Sequence, residues 1–406
     1  MNSVGDKVRV LLAIGEMSGG GSQRQLISIL ERIDRARFEP QLYVVSPGGE
    51  LMGEVPGDVL VHVFGGEKSL GGAPGPGLVP AKGVVTRWLY PGQAHRARVL
   101  DLARVLEEEK IDVVYDRTYH MTLIAAGATK RRPTRRVSVI VTDPRRDFET
   151  NVERFRFIKR HLLRRAYQTA DCVVAVSEGV RRAATTHYGL ADEKTLTLYN
   201  AFDVERIDRL MAEKLPDGES RRPDQFEIVA AGRLHQQKGF LVLLDSVRRL
   251  VKELGLSQIH LRILGTGGQE GALRAYVAEH SLAGHVTLSG FRANPLPYFR
   301  QADLFCLSSL YEGMPNALVE AMLCRVPVLA TDCPSGPGEV LEGGKWGRLV
   351  QPGDAGALAE AIEDAIRRPA EWRSLVAGAR VRIERDFSSA VAMGKLEQLL
   401  AEVSGR

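Results

Sequence analysis

The chain has 406 residues, of which 44% are hydrophobic and 26% are charged. Because a single hydrophobic core rarely grows beyond about 250 to 300 residues, this length predicts two or more domains. The composition is close to the average of soluble globular proteins and excludes a disordered, collagen-like or coiled-coil chain. The net charge of +5 is mild, so only its distribution along the chain carries information about partners.

The first residues and the cysteines indicate the expected compartment. The N-terminus reaches apolar residues without a long hydrophobic region, and no stretch approaches the run of about 18 uncharged apolar residues that a membrane span needs. The four cysteines form no Cys-x-x-Cys pair, so the sequence signals neither a zinc site nor a disulfide framework. We therefore expect a cytoplasmic protein.

The first half of the chain alternates strands with helices. Residues 7–14 form an apolar run that predicts a buried strand, followed by a glycine loop and a helical pattern. Further strands are predicted at residues 41–45, 59–63, 113–115, 137–141 and 172–176. Helical stretches between most of them indicate a doubly wound parallel sheet. Residues 65–80 are rich in Gly and Pro and are predicted to form a long loop.

A polar stretch at residues 216–224 precedes a second series of strands. These strands are predicted at residues 227–231, 260–264, 286–288, 304–307, 326–330 and 347–350. The predicted fold class is α/β, with two facing Rossmann-like doubly wound domains. Ligands of such sheets bind outside the carboxyl ends of the strands, so we expect the site in the cleft between the domains. The predicted organisation is an N-terminal domain over 1–205, a linker over 206–224 and a C-terminal domain over 225–385.

Two basic side chains follow the strand predicted at 227–231. Gly232 permits a sharp turn, and Arg233 and Lys238 lie five residues apart on the loop and the start of a helix. Both side chains could reach one anion beside a helix N-terminus, a geometry that suits a diphosphate. Two solvated basic residues in an ordinary loop are the alternative interpretation, since charged residues are common on loops.

Glu312 and Glu320 flank a turn and the start of a helix. Gly313 and Pro315 predict an extended turn, and Asn316 is a favourable N-cap residue, so Glu320 should lie about one turn into the helix. Two carboxylates in this arrangement can hold the hydroxyl groups of a sugar and of a ribose, while the free amides between them face a phosphate. Alternatively, an acidic residue in the first turn only complements the helix dipole.

Two glycine-rich loops carry weaker signals. Residues 264–268 follow a strand but lack the last glycine of the dinucleotide fingerprint, and Gly19–Gly21 lacks the Lys-Ser/Thr of a P-loop. No Asp-x-Asp pair occurs in the sequence. The commonest carboxylate arrangement for a divalent ion on a nucleotide diphosphate is therefore missing, and we expect neither a metal nor a cofactor.

Taken together, the motifs resemble those of the family 4 retaining glycosyltransferases. They lie at residues 19–25, 232–240, 264–267, 288–291, 308–316 and 331–337. The resemblance covers nearly the whole chain, and its most specific part is the Glu-x7-Glu spacing of Glu312 and Glu320. It implies the GT-B fold, in which the C-terminal domain holds most of a nucleotide-sugar donor. It also implies that a final helix within 386–406 crosses back to the first domain.

The resemblance assigns roles residue by residue. Arg233 and Lys238 match the basic pair that holds the donor diphosphate, Glu312 matches the carboxylate near the transferred sugar, and Glu320 matches the ribose ligand. The other implied donor contacts are Gly20, Gly21, Gly232, Gly265, Thr266, Phe291, Arg292, Gly313, Met314, Pro315 and Asn316. On the acceptor side the chain departs from the family pattern, so that role falls to Arg117 or His120, or to neither.

The implied reaction moves a hexose or N-acetylhexosamine from a nucleoside-diphosphate sugar, with UDP favoured over GDP, and retains the anomeric configuration. The segment 331–337 is similar to members that build bacterial surface polysaccharides and glycan-lipid precursors. The expected acceptor is therefore a glycan or a lipid-linked sugar. Prearranged charges on Arg233 and Lys238 would stabilise the leaving diphosphate in place of a metal.

Basic residues crowd together between Lys130 and Arg165, with Phe157 and Leu162 among the interleaved apolar residues. Such a stretch could rest on anionic lipid, which would place the protein on the inner face of the plasma membrane. A solvated helix face with a few core anchors is the alternative interpretation. Nucleic acid is not an expected partner, because no RNA or DNA module accompanies the charge.

Two other functions are compatible with two facing Rossmann-like domains. A nucleotide-sugar 2-epimerase would share the architecture and would need acid and base side chains in the cleft, for which the sequence offers no clear candidates. A non-catalytic nucleotide-sugar-binding protein would keep the diphosphate loop and lack turnover. The intact pair of Glu312 and Glu320 argues against the second of these.

Overall fold

The computed structural model of the chain describes residues 7–71, 91–132, 134–145 and 156–406. The strands of the first sheet are β1 (Val8–Ile14), β2 (Phe38–Val44), β3 (Leu60–Val63), β4 (Glu67–Leu70), β5 (Val113–Arg117), β6 (Arg135–Ile140), β7 (Cys172–Ala175) and β8 (Thr195–Thr197). They lie in the order β4-β3-β2-β1-β5-β6-β7-β8. All neighbouring strands pair in parallel except β3 and β4.

A second sheet occupies the other half of the chain. Its strands are β9 (Phe226–Ala231), β10 (Ile259–Leu264), β11 (Val286–Gly290), β12 (Leu304–Leu307), β13 (Val328–Thr331) and β14 (Arg348–Val350). They lie in the order β11-β10-β9-β12-β13-β14 and all pair in parallel. The predicted fold class, two Rossmann-like α/β sheets, is confirmed.

Helices connect the strands of both sheets. In the first half they are α1 (Gly21–Arg32), α2 (Pro91–Glu108), α3 (Tyr119–Thr129), α4 (Arg156–Gln168), α5 (Glu178–Tyr188) and α6 (Val204–Met211). In the second half they are α7 (Phe240–Lys252), α8 (Glu270–Glu279), α9 (Leu296–Gln301), α10 (Asn316–Leu323), α11 (Pro337–Val340), α12 (Ala355–Arg367), α13 (Pro369–Val376), α14 (Ala379–Phe387) and α15 (Ser389–Ser404). None of the helices in the described ranges is both long enough and apolar enough to cross a membrane.

The central strands of both sheets are almost entirely buried. Every residue of β5 and β10 is buried, which is the burial expected of parallel strands with helices on both faces of the sheet. The predicted strands are all present. The largest shift is in β2, which begins at Phe38 rather than at residue 41.

The prediction of a long loop over residues 65–80 is wrong at its start. Glu67–Leu70 forms β4, which pairs antiparallel with β3 after a tight turn. This short edge strand is largely polar, so it lacks the apolar run that marks the other strands. An ion pair between Lys68 and Glu109 at 2.6 Å helps to hold it in place. Residues 72–80 of the predicted loop lie outside the described residues.

The chain crosses from the first half to the second near Phe202 and returns to the first half near Phe387. The Phe202 amide donates to the Phe387 carbonyl at 3.0 Å, and the Ser389 amide donates to the Phe202 carbonyl at 2.9 Å. The final helix, α15, then packs against α1, β5 and β6 of the first half. The two crossings therefore lie side by side, and the carboxyl ends of the two sheets meet across a cleft.

Candidate functional site

The carboxyl end of β9 carries the predicted basic pair. Residues 236–238 form a single 3-10 turn, and α7 begins at Phe240. The Lys238 Nζ atom lies 2.5 Å from Glu312 Oε1, and the two side chains are 19% and 5% exposed. Arg233 is exposed, and its side chain has no hydrogen-bond or ion-pair partner among the residues that the structure describes. Lys238 is thus fixed in place, while Arg233 can turn toward an anion.

Glu312 is buried and is held from several sides. Ser309 Oγ donates to Glu312 Oε1 at 2.6 Å, in addition to the ion pair with Lys238. Ser335 Oγ donates to the Glu312 carbonyl oxygen at 2.7 Å. A charged, buried carboxylate needs such partners, because an unpaired one would be very costly to desolvate. These contacts give the side chain a single orientation beside Lys238.

Asn316 is the first residue of α10, but its side chain does not cap the helix as predicted. Instead Asn316 Oδ1 accepts a hydrogen bond from Asn200 Nδ2 at 2.8 Å. Asn200 Oδ1 in turn accepts from Arg117 Nη2 at 2.8 Å. A tertiary partner has therefore replaced the local cap. A Cβ atom on Gly21 would lie 3.0 Å from Asn316 Nδ2, which places the predicted glycine loop of the first half directly opposite α10.

Asn200 is a residue of this site that sequence reasoning missed. It is buried, and it joins the end of β5 to the start of α10. The available signal was a lone amide in the mostly apolar run 198–202, just before the helix that leads to the second half. The local sequence does not predict the two partners of Asn200, because Arg117 lies 83 residues before Asn200 and Asn316 lies 116 residues after it.

Glu320, the predicted ribose ligand, lies one turn into α10 and is half-buried. Burial raises the pKa of its carboxyl group above the ordinary value, and the positive charge of Arg24 on α1 acts in the opposite direction. Arg24 also crosses the cleft, since its Nη2 donates to the Ala293 carbonyl at 3.2 Å. A positive charge of the first half therefore acts on Glu320 of the second half.

The predicted base-side residues gather where β10 and β11 end. The Gly265 amide donates to the Gly290 carbonyl at 2.8 Å, and Thr266 is exposed beside them. Phe291 is 41% exposed and faces the glycine loop, with its Cε2 atom 3.1 Å from where a Cβ on Gly19 would lie. An exposed ring over an open strand end offers a surface on which a flat base could stack.

Arg292 takes a different position from its neighbour Phe291. It forms an ion pair with Glu219 at 2.6 Å, and its Nε donates to the Tyr298 hydroxyl at 2.9 Å. Those contacts raise the pKa of the Arg292 guanidinium, with the Glu219 hydrogen bond as the main cause. The side chain is committed to partners within the second half, so its backbone is better placed than its charge to meet a ligand.

Gly313, Met314 and Pro315 form a buried turn between Glu312 and α10. A Cβ atom on Gly313 would lie 2.0 Å from the Val141 carbonyl oxygen at the end of β6. The turn that follows Glu312 in the second half therefore packs directly on the first half. Gly20 is exposed just before α1, and Gly232 packs under the Lys238 side chain at the end of β9.

The structure separates the two predicted acceptor residues. Arg117 is 3% exposed and burial lowers the pKa of its guanidinium, while its Nη2 donates to Asn200. His120 is exposed on α3, with its ring centre 4.1 Å from that of Tyr119. Their acceptor roles stay predictions, and only His120 presents its side chain at the surface.

The basic stretch between Lys130 and Arg165 is not one continuous face. Arg136 is 1% exposed and its Nη1 donates to Ser138 Oγ at 2.9 Å, so it belongs to the interior. Arg135 pairs with Asp171 at 2.8 Å. Residues 133 and 146–155 lie outside the described residues. The exposed basic residues of the stretch include Lys130, Arg131 and Arg132 at the end of α3 and several residues of α4.

Helix α4 exposes apolar and basic side chains together. Phe157, Ile158 and Leu162 are 73%, 58% and 48% exposed, while Leu163 on the opposite side is buried. Arg160, Arg164 and Arg165 are exposed on the same helix. An exposed apolar ridge beside cations is typical of helices that lie on anionic membrane surfaces.

Models of two glycosyltransferase families match the chain. The glycosyltransferase family 4 model matches residues 19–206, and the model of glycosyl transferases group 1 matches residues 225–368. Between them they include every residue of the donor site predicted above. The two matches meet close to the polar stretch that separates the two sheets.

Curated relatives share part of their length with this chain. A Campylobacter jejuni enzyme, N-acetylgalactosamine-N,N'-diacetylbacillosaminyl-diphospho-undecaprenol 4-alpha-N-acetylgalactosaminyltransferase, is 27% identical over 243 residues. That match covers 60% of this chain and 64% of the relative. A putative colanic acid biosynthesis glycosyltransferase of Escherichia coli is 35% identical over 183 residues, which are 43% of this chain and 44% of the relative. The chain thus spans less than two thirds of the length of these relatives.

Among solved structures, Anabaena HepE in complex with UDP and glucose is similar over 97% of this chain and 99% of its own, with a TM-score of 0.76 and 21% sequence identity. This likeness establishes the fold, which is GT-B as the sequence predicts. Together the two family models match most of the chain, in the order in which the two sheets occur. The first half of the chain therefore belongs to glycosyltransferase family 4 and the second half to glycosyl transferases group 1.

Proposed function

We propose that the chain transfers a hexose or N-acetylhexosamine from a nucleoside-diphosphate sugar to a glycan or lipid-linked acceptor, with retention of the anomeric configuration. One observation carries the proposal: Lys238 forms a largely buried ion pair with Glu312, and the exposed Arg233 lies on the same loop after β9. Two cations and a fixed carboxylate in one place match the charges of a diphosphate and the hydroxyl groups of a sugar.

The proposed chemistry follows from where charge develops. The bond between the sugar C1 and the diphosphate oxygen breaks, negative charge grows on the diphosphate, and an oxocarbenium-like centre forms. Arg233 and Lys238 would stabilise the leaving group more strongly in the transition state than in the ground state. A diphosphate oxygen on the same face takes the proton of the acceptor hydroxyl as the new C1–O bond forms, so the configuration is retained.

Helix α10 supports this arrangement. Its first N–H groups lack partners within the helix, and the helix dipole favours a negative group at that end. Glu312 precedes the helix and Glu320 lies within it, so the sugar and ribose hydroxyls would bind on either side of the phosphates. The two carboxylates are then substrate-holding groups, unlike the acid and nucleophile pair of a glycosidase.

The relatives guide the choice of substrates. The Campylobacter jejuni relative is named for a diphospho-undecaprenol acceptor, the Escherichia coli relative for colanic acid biosynthesis, and HepE binds UDP and glucose. We propose by analogy a UDP-sugar donor and an acceptor of surface polysaccharide or glycoconjugate synthesis. The location that follows is the cytoplasm, at the inner face of the membrane.

Release of UDP or GDP from a panel of nucleotide sugars, with and without lipid-linked acceptors, tests the function. Acceptor-dependent release and a product with the donor's anomeric configuration by NMR would support the proposal. Conversion of the free donor to its 2-epimer without acceptor would instead identify an epimerase. Tight nucleotide-sugar binding without turnover for any acceptor would identify a binding protein.

Transfer is expected to continue after treatment with EDTA. Arg233 and Lys238 would supply the positive charge that a divalent ion supplies in metal-dependent transferases. The measurement compares initial rates of nucleotide release before and after dialysis against EDTA. Loss of activity on chelation that added Mg²⁺ or Mn²⁺ restores would contradict this prediction.

Helix α4 is expected to bind anionic vesicles. The parent chain should co-sediment with vesicles rich in phosphatidylglycerol and remain in solution with phosphatidylcholine alone, because the exposed arginines are drawn to anionic lipid and the apolar side chains insert. The double variant Phe157→Asp/Ile158→Asp should lose this binding. Val381→Asp is the matched control, since Val381 is 68% exposed on α14 and lies apart from α4. Equal sedimentation of all three chains, or no dependence on anionic lipid, would remove the membrane proposal.

A further inference from the structure

Glu339 makes a contact between the two halves that the proposed donor chemistry does not use. It lies on α11, in the second half, and its carboxylate reaches the start of α5 in the first half. The backbone amides of Glu178 and Gly179 donate to its two oxygens at 2.8 and 2.6 Å. The Tyr199 hydroxyl donates to the same carboxylate at 3.3 Å.

The electrostatics of a helix end make this contact favourable. The first four N–H groups of a helix have no partners within it, and the dipole places partial positive charge there. In α5, Ser177 Oγ accepts from the Val180 amide at 3.3 Å, and Glu339 accepts from the two amides before it. Hydrogen bonds to an ionised acceptor are roughly twice as strong as neutral ones. One helix is thus capped jointly by its own half and by the other half.

Sterics at Gly179 fit the same contact. A Cβ atom at this position would lie 2.6 Å from Ser335 Cβ and 2.9 Å from the Pro334 carbonyl oxygen. Any larger residue would push the loop 334–336 away from α5. Glycine at position 179 therefore lets the loop of the second half rest directly on the helix of the first half.

The same loop also supports the donor side of the cleft. Ser335 Oγ donates to the Glu312 carbonyl at 2.7 Å, and a Cβ atom on Gly336 would lie 2.7 Å from Pro315 Cδ. The loop is therefore packed between α5 on one side and the turn that follows Glu312 on the other. A shift of the loop relative to α5 would move the support of Glu312.

We propose that Glu339 is a positioning residue: by docking on the N-terminus of α5, it couples the approach of the first half to the placement of Glu312 in the second. The inference rests on the proposed transferase function for its kinetic effect, although the docking contact itself does not depend on that function. It predicts that removing the charge of Glu339 will harm turnover far more than it harms nucleotide binding.

The test uses Glu339→Gln and Gly179→Ala in the full chain, with Glu363→Gln as the matched control. Glu363 is an acidic residue of α12 whose carboxylate pairs with Arg367 within the same helix. Three readouts are compared: kcat at saturating donor, the Kd of UDP or GDP by calorimetry, and hydrogen exchange of the peptide that contains residues 178–180. Glu339→Gln removes the charge and one of the two oxygen atoms that accept from the amides of Glu178 and Gly179, and Gly179→Ala keeps the charge and blocks the approach.

Both test variants should lower kcat by about tenfold, consistent with the loss of charged hydrogen bonds. They should leave the nucleotide Kd within about twofold, since Arg233 and Lys238 are untouched. Hydrogen exchange of the backbone amides of residues 178–180 should become faster in both test variants. The Glu363→Gln control should exchange at the rate of the parent chain. Unchanged exchange, unchanged kcat, or a fall of nucleotide affinity in parallel with kcat would each overturn the proposal. If the parent chain transfers no sugar at all, the transferase proposal fails, and the exchange result still decides whether Glu339 docks the two halves.

Discussion

Replacement of Lys238 or Arg233 by alanine is expected to lower the rate of transfer at saturating donor by about 10²-fold or more, as removal of other oxyanion-stabilising groups does. Lys238 is fixed by its 2.5 Å ion pair with Glu312, so its charge is already in place when the diphosphate leaves. Arg233 is exposed and would close on the bound diphosphate. The measurement is the rate of nucleotide release with acceptor present and donor saturating. A variant with unimpaired transfer would refute the role of that residue.

The Lys238 result needs a control for stability. Loss of the lysine leaves the Glu312 carboxylate buried beside Ser309 without its cation, and breaking a buried pair typically costs about 3–5 kcal/mol. The double variant Lys238→Met/Glu312→Gln removes both charges and should recover much of the free energy of unfolding. Its transfer rate should stay low. For Arg233→Ala, the matched control is Arg274→Ala, since the Arg274 side chain is 61% exposed on α8 and, among the described residues, pairs only with Glu270 of the same helix.

The second large effect is expected for Glu312→Gln. The amide keeps an oxygen that can accept from Ser309, but it loses the charge that pairs with Lys238 and that would bind a sugar hydroxyl. Charged hydrogen bonds contribute about 1.5–3 kcal/mol, so kcat/KM should fall by about 10- to 10²-fold. The fall should appear mainly in kcat, because the carboxylate is proposed to lie beside the reacting sugar rather than the nucleotide.

Glu320→Gln separates the two carboxylates. Glu320 is proposed to bind the ribose, far from the bond that breaks, so its loss should raise the donor KM and leave kcat nearly unchanged. Donor KM and kcat are measured for both variants under the same conditions. Equal effects of the two substitutions on kcat would contradict the division of roles. Full activity of Glu312→Gln would remove Glu312 from the proposed site.

The sequence predicts the two sheets well because their strands are continuous apolar runs separated by turn residues. The strand β4 was missed because it is short and polar, and it is held by pairing with β3 and by the ion pair of Lys68. Arg136 was grouped with a surface charge cluster, although its side chain is buried against Ser138. Lys68 pairs with Glu109, 41 residues away, and Arg136 also donates to Thr169, 33 residues away, so in both cases a deciding partner lies outside the window in which sequence periodicity is read.

Arg233, Lys238, Glu312 and Glu320 could be proposed as donor-binding residues because each follows a predicted strand or lies near the start of a predicted helix. The contacts between the two halves could not be predicted from the position of a residue relative to a predicted strand or helix. Asn316 was predicted to cap α10, but it bonds Asn200 from the other half, and Glu339 gave no local signal of its docking on α5. Residues that join two domains are chosen by their distant partners, so a single sequence does not reveal them.

The position of α15 has a consequence for the order of folding during synthesis. Its buried side chains, among them Leu396, Leu399 and Leu400, cover the first half of the molecule, although they are encoded after the second half. On the ribosome, domains generally fold in order from the N-terminus. Here the first half must wait with an uncovered apolar surface until residues 389–404 have emerged. A fragment that stops near residue 205 would therefore be expected to aggregate, whereas supplying α15 as a separate peptide should improve its solubility.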